Sequence, residues 1–209
     1  MKKITIIDYG CGNLLSLSRA IEEIGFSCHI TSEKKKILGS DILFLPGVGA
    51  FENAINLLKK NGLIDIINEY ANHKKPLIGI CLGMQLLLTK SFELGEHSGL
   101  NLIEGQVINI KEKSINKNIK IPHIKWNKIL KSCNQNNFLN EKIFNKNYYF
   151  IHSYMTMLSE KKNVLAYTKY FDIEIPSIVF KNNIIGFQFH PEKSGENGLS
   201  LLKETLKIF

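Results

Sequence analysis

The chain has 209 residues, 44% of them hydrophobic and 22% charged, a balance that supports a substantial globular core and excludes a disordered or low-complexity chain. The formal charge of +8 comes from lysine, which supplies all but one (Arg19) of the 27 basic residues, and that argues against nucleic acid, whose phosphates and base edges favour the arginine fork. The longest apolar runs are too short to cross a bilayer, and four scattered cysteines (Cys11, Cys28, Cys81, Cys133) without C-x-x-C spacing point to reduced thiols, with no disulfide and no metal.

In chain order, Ile4 to Asp8 is a continuous apolar run suited to a central buried strand. Met1 to Asp8 reads as a strand rather than a signal peptide, so a cytoplasmic protein is expected. Leu14 to Ile24 has helical periodicity and stops at Gly25. Cys28 to Thr31 and Ile42 to Leu45 are short strands, the second ending at Pro46. Lys34-Lys35-Lys36, like Lys161-Lys162, reads as a solvated loop. Phe51 to Lys60 and Leu63 to Ala71 are helices, Leu77-Ile78 is a strand, and Met84 to Lys90 continues as a helix. Such alternation implies a mostly parallel sheet with helices on both faces and binding groups beyond the C-terminal strand ends.

After Gly105 the pattern changes. Val107 to Ile110, Ile129, Tyr148 to His152, Val164 to Tyr167, Ser177 to Phe180 and Ile184 to Phe189 read as strands without long helices between them. They are expected to extend the sheet with antiparallel strands. Lys113 to Asn118 and Ser132 to Asn137 are polar loops, and Gly198 to Lys207 is a final helix. With no repeat and no linker, residues 1–209 form one domain.

Two stretches carry chemistry. Gly79-Ile80-Cys81-Leu82-Gly83 places a cysteine in a tight strand-to-helix turn, with a glycine two residues to either side to let the backbone bend and a substrate approach. A helix N-terminus there would favour a thiolate. Gly186-Phe187-Gln188-Phe189-His190-Pro191-Glu192-Lys193 brings a histidine out at a strand end, with Glu192 close enough to hold one imidazole nitrogen. A base and an orienting carboxylate beside a cysteine generalise the catalytic triad. His29, His73 and His97 carry no such signal and read as surface residues. Pro46-Gly47-Val48-Gly49 follows a strand, and its glycines let a backbone N–H turn toward a developing oxyanion. Gln85 lies one helical turn from Cys81 on the same face.

These blocks, with Ile7-Asp8-Tyr9-Gly10-Cys11-Gly12-Asn13, Ile121-Pro122-His123, Trp126-Asn127 and Tyr149 to Tyr154, resemble the class I (triad) glutamine amidotransferases over essentially the whole chain. Among these, they resemble the glutaminase subunits of imidazole glycerol phosphate synthases. The resemblance implies a flavodoxin-like sheet and hydrolysis of L-glutamine by Cys81, His190 and Glu192. The oxyanion strand would be Val48 and Gly49, its N–H acting with that of Leu82. Gln85, Glu93 and Ser153 would hold glutamine, and no cofactor is needed. It also implies a β/α-barrel cyclase partner, met at or near Asn13, Trp126, Tyr149 and Lys193, whose ligand rearranges the oxyanion strand. The family pattern Pro-His-Met-Gly-Trp-Asn stands here as Pro122-His123-Ile124-Lys125-Trp126-Asn127. Related glutaminases supply ammonia for amidation or amidination of surface-polysaccharide sugars, which is the alternative destination.

Overall fold

The computed structural model describes residues 2–116, 118–133 and 138–209. Its first half alternates as expected: β1 (Ile4–Ile7), α1 (Leu14–Glu23), β2 (Cys28–Thr31), α2 (Lys34–Leu38), β3 (Ile42–Leu45), α3 (Phe51–Lys60), α4 (Leu63–Asn72), β4 (Leu77–Ile80), α5 (Leu82–Leu86) and β5 (Leu88–Ser91). Helix α1 buries Leu17, Ala20 and Ile21, with Ile24 completing the helical spacing. It ends where Gly25 takes a φ of +90° and the N–H groups of Gly25 and Phe26 close back onto Glu22 and Ile21. The second half contains β6 (His97–Ser98), β7 (Ile103–Asn109), α6 (Ile110–Lys113), β8 (His123–Lys128), β9 (Leu130–Lys131), β10 (Asn147–His152), β11 (Tyr154–Leu158), β12 (Val164–Tyr170), β13 (Ile173–Lys181), β14 (Ile184–Phe187) and α7 (Gly195–Ile208).

The main sheet runs β2-β1-β3-β4-β14-β13-β12-β9. It is parallel from β2 through β14 and antiparallel beyond, as the strand and helix pattern implies. One face packs Ile4, Ile6, Phe44, Ile78 and Phe187 under α1 and α7. The other packs Ile7, Leu43, Leu45 and Leu77 under α2, α3 and α4. Each fully buried Leu or Ile contributes about 1.5–3 kcal/mol. The C-terminal ends of β1, β3, β4 and β14 open on the same edge, the crevice where parallel sheets bind ligands.

Several expectations need correction. The helix expected over Met84 to Lys90 stops at Leu86, because Leu88–Ser91 leaves as β5 to pair with β6 and β7. The N–H groups of Leu100, Leu102 and Ile103 take the carbonyls of Leu86 and Leu87. Lys34 to Lys36 is not loop but the first turn of α2, anchored by the buried Ile37. The strand at Val107 starts at Ile103 and ends before Ile110, where Asn109 and Glu112 form a capping box that opens α6. Ile129 lies between β8 and β9 rather than in a strand.

Only part of the second half extends the main sheet. β10 pairs with β8 alone, and β11-β7-β5-β6 make a separate four-stranded sheet. Ile108, Ile110, Met155, Ile173 and Ile175 pack a third core beneath it. His29 and His73 are exposed, but His97 is half-buried. The polar loops expected at 113–118 and 132–137 fall partly on residues 117 and 134–137, outside the described residues.

Candidate active site

At the end of β4 the chain turns through Cys81 at φ +52°, ψ −110°, a conformation that costs a non-glycine residue on the order of 1–3 kcal/mol. The strain sits on the cysteine itself. Gly79 and Gly83 have ordinary φ values and serve packing rather than substrate approach. A Cβ on Gly83 would stand 1.8 Å from the Leu45 carbonyl oxygen, and one on Gly79 2.8 Å from the Met84 backbone. The turn is tied to β14 by the Cys81 N–H donating to the Phe187 carbonyl at 2.7 Å. Since α5 has only five residues, its dipole is a small contributor to thiolate stability.

His190 meets Cys81 from the end of β14. Its Nδ1 lies 2.7 Å from Glu192 Oε1, with both side chains 3% exposed. Burial opposes a charge on His190, but hydrogen bonds to Cys81 and Glu192 and their negative charges outweigh it and push the imidazole up to about 10. The histidine turn is held by β10: the His190 N–H donates to the Tyr149 carbonyl at 2.9 Å, the Tyr149 N–H donates to Ser194 Oγ at 2.9 Å, and Ser194 Oγ donates to the His190 carbonyl at 2.6 Å.

A cleft of about 470 Å³ opens over the sulfur. Asn13, Val48, Gly49, Cys81, Leu82, Gln85, Glu93, Ser153, His190 and Lys193 all line it, so residues from distant parts of the sequence converge on one space. Trp126 and Tyr149 stand apart from it, on the outer face of β8–β10, with ring centroids 5.9 Å apart. Ile124, Trp126 and Ile151 are 55%, 50% and 40% exposed there, forming an apolar patch. Asn13 and Lys193, the other two residues expected at or near a partner surface, line the cleft.

Gln85 is buried and its amide is already engaged, donating to the Tyr154 carbonyl at 3.1 Å and to Gln188 Oε1 at 3.2 Å. Glu93 accepts from the Phe51 N–H at 2.7 Å. Burial raises its carboxyl above the ordinary range, against that hydrogen bond and the nearby His97. Sequence reasoning missed the structural roles of Tyr9, His152, Gln188 and Ser194. Tyr9 donates its hydroxyl to the Pro46 carbonyl at 2.8 Å, and Gln188 Nε2 approaches the Cys81 sulfur at 3.9 Å. The run from Tyr149 to Tyr154 was the available signal for His152. No group of metal-ligating side chains occurs among the described residues.

The model of the class-I glutamine amidotransferase family matches residues 5–208. The chain belongs to the class-I glutamine amidotransferase family. This amidotransferase is 46% identical over 209 residues to a protein of Lactococcus lactis subsp. lactis named imidazole glycerol phosphate synthase subunit HisH, covering 99% of each chain. A protein of that name from Carboxydothermus hydrogenoformans is 44% identical, with 97% of this amidotransferase and 98% of the relative covered. Among solved structures, PurLQS of Thermotoga maritima superposes with a TM-score of 0.70 at 20% identity, covering 99% of each chain. A glutamine amidotransferase of the same organism gives 0.63 at 18% identity, covering 99% of this chain and 82% of that one. These two share the amidotransferase fold.

Proposed function

We propose that this chain is the glutaminase subunit of an imidazole glycerol phosphate synthase. It hydrolyses L-glutamine to glutamate and ammonia and passes the ammonia to a cyclase subunit in histidine biosynthesis. Full-length likeness to proteins of that name supports the pathway. The observation that carries the chemistry is the buried Glu192–His190 pair set against Cys81.

The reacting form in this reading is the Cys81 thiolate beside the His190 imidazolium. The sulfur attacks the glutamine carboxamide carbon, and the oxyanion takes the N–H groups of Leu82 and of the Val48–Gly49 segment. His190 gives its proton to the departing nitrogen, which leaves as ammonia, and a thioester remains. The neutral ring then takes a proton from water as the oxygen attacks the thioester. Glutamate leaves, and the imidazolium and thiolate are restored. Glu192 fixes the ring's orientation and supports its positive charge. Gln85, Glu93 and Ser153 hold the substrate along the cleft wall.

Ammonia is useful only while unprotonated, so the acceptor site must be sealed against the glutaminase. The apolar patch of Ile124, Trp126, Tyr149 and Ile151 supports docking of a β/α-barrel cyclase there, with both subunits in the cytoplasm. No helix among the described residues is long and apolar enough to cross a membrane.

The test is glutamate release by this chain alone, with a barrel cyclase and with a sugar-amidating synthase. Stimulation by the cyclase, with imidazole glycerol phosphate formed from glutamine and lost in Cys81→Ala, is the expected result. Stimulation by the sugar synthase alone would move the ammonia to surface polysaccharide.

A further inference from the structure

A pair of histidines, unused by the chemistry above, lies in and behind the cleft wall. His123 is fully buried and His152 nearly so, and the β8–β10 register sets them opposite each other. His123 Nδ1 is 3.0 Å from His152 Nε2, and His152 Nδ1 is 2.7 Å from the Tyr154 carbonyl. A carbonyl only accepts, so His152 carries its proton on Nδ1 and, when neutral, offers Nε2 as an acceptor. His123 then donates from Nδ1. Its Nε2 is left to accept from the Asn127 amide, 3.4 Å away, which also donates to the Lys169 carbonyl at 3.0 Å. Every bond in this chain has one direction, from Asn127 through both rings to Tyr154. Phe150 and Tyr170 hold the His123 ring between centroids 4.9 and 4.1 Å away.

The chain ends at the substrate cleft. The Tyr154 carbonyl that receives it also receives Gln85 Nε2, and Gln85 donates onward to Gln188, whose amide approaches the sulfur. His152, Ser153 and Tyr154 all line the cleft. We propose that His123 and His152 are positioning residues for glutamine. As a neutral pair with both protons on Nδ1, they fix the Tyr154 carbonyl and with it the Ser153–Tyr154 wall that faces the bound substrate. This rests on the glutaminase reading above. Burial drives both rings toward neutrality, His123 to about 3 and His152 to about 4. The His152 ring and then Lys125 act in the same direction on His123, while at His152 the Tyr154 hydrogen bond opposes burial and His190 adds to it.

Two measurements test it. The first compares labelling of Cys81 by a glutamine-analogue diazoketone, which must occupy the cleft, with labelling by iodoacetamide, which need not. His123→Ala should slow the diazoketone about tenfold, the loss of one buried hydrogen-bonded contact, and leave iodoacetamide unchanged. His123→Asn, whose Nδ2 falls where the ring Nδ1 was, should restore the diazoketone rate to within about twofold. Equal diazoketone rates in wild type and His123→Ala would overturn the proposal. Failure of His123→Asn to rescue, or slowing of both reagents alike, would do the same. The second measurement is nitrogen-15 spectroscopy of the histidine-labelled wild-type chain near neutral pH, which needs no variant to fold. Both rings should be neutral with the proton on Nδ1, and an Nε2–H tautomer or an imidazolium at either position would overturn it. A wild-type chain that the diazoketone does not label would instead remove the glutaminase reading.

Discussion

The carbonyl oxygen of Ile151 lies 3.9 Å from the sulfur of Cys81, although the Ile151 side chain is 40% exposed on the outer face of β10. Two residues earlier, the Tyr149 carbonyl holds the His190 N–H. The same strand therefore presents apolar side chains outward and main-chain oxygens inward to both reacting residues. If the cyclase docks on that face as proposed, the β10 main chain itself joins it to the nucleophile.

Trp126→Ala tests the face. A half-exposed aromatic anchor at an interface centre is worth about 2 kcal/mol or more, so affinity for the cyclase should fall about thirtyfold. The free chain should melt within about 2 °C of wild type, since little core is removed. Titration calorimetry reads the first and thermal unfolding the second. Undiminished affinity would remove Trp126 from the interface.

Glu192→Gln tests the orienting carboxylate. Turnover of glutamine should drop by about a hundredfold or more, because the ring loses both its fixed orientation and its countercharge. Stability should change with it. His190 is raised from 6.5 to about 10 in the folded chain, so its contribution is complete below about 6.5 and disappears as pH rises through about 10. Glu192→Gln lowers the folded value, and the decline in stability across that alkaline window should become shallower. An unaltered slope in denaturant unfolding would refute the coupling.

The neutral histidines predict the opposite dependence in acid. His123 and His152 are lowered from 6.5 to about 3 and about 4, so the unfolded chain binds protons that the folded chain refuses. Their stabilisation is present above about 6.5 and is lost as pH falls toward those values. His123→Asn removes one of these groups and should reduce the loss between pH 6.5 and 4, measured as denaturation midpoints. Identical midpoint shifts in both chains would exclude His123 as a source.

Gly83→Ala should cost about 2–4 kcal/mol, because the new methyl meets the Leu45 carbonyl in a turn with no room to relax. Gly25→Ala meets open space at φ +90°, and its cost is the backbone strain alone, about 1–2 kcal/mol. Denaturant unfolding of the two variants separates packing from conformation. Equal costs would mean that the Gly83 contact relaxes.

The parallel half of the fold was legible because its strands are short apolar runs bounded by glycine and proline, and because α1, α3 and α4 keep a helical apolar spacing. Cys81, His190 and Glu192 were legible for a related reason: each stands at a strand end marked by such residues. Strand β8 was not, since His123-Ile124-Lys125-Trp126-Asn127-Lys128 buries only its first residue and shows no alternation. Strand β5 was masked by the leucines that run continuously out of α5. The His123–His152 pair was invisible because only strand register joins positions so far apart. The strain at Cys81 also escaped notice, since flanking glycines suggest that they carry it themselves.

The segment after β3 is moored at three points: Tyr9 hydroxyl on the Pro46 carbonyl, Cys11 sulfur on the Val48 carbonyl at 2.8 Å, and Glu93 on the Phe51 N–H. Moorings so closely spaced forbid wholesale displacement. The peptide unit joining Gly47 to Val48 lies between the first two, so any reorientation of its N–H is confined to a crankshaft turn, a paired rotation about ψ of one residue and φ of the next that leaves every Cα in place. Such a turn would re-aim the oxyanion donor proposed above while the strand that carries it stays put.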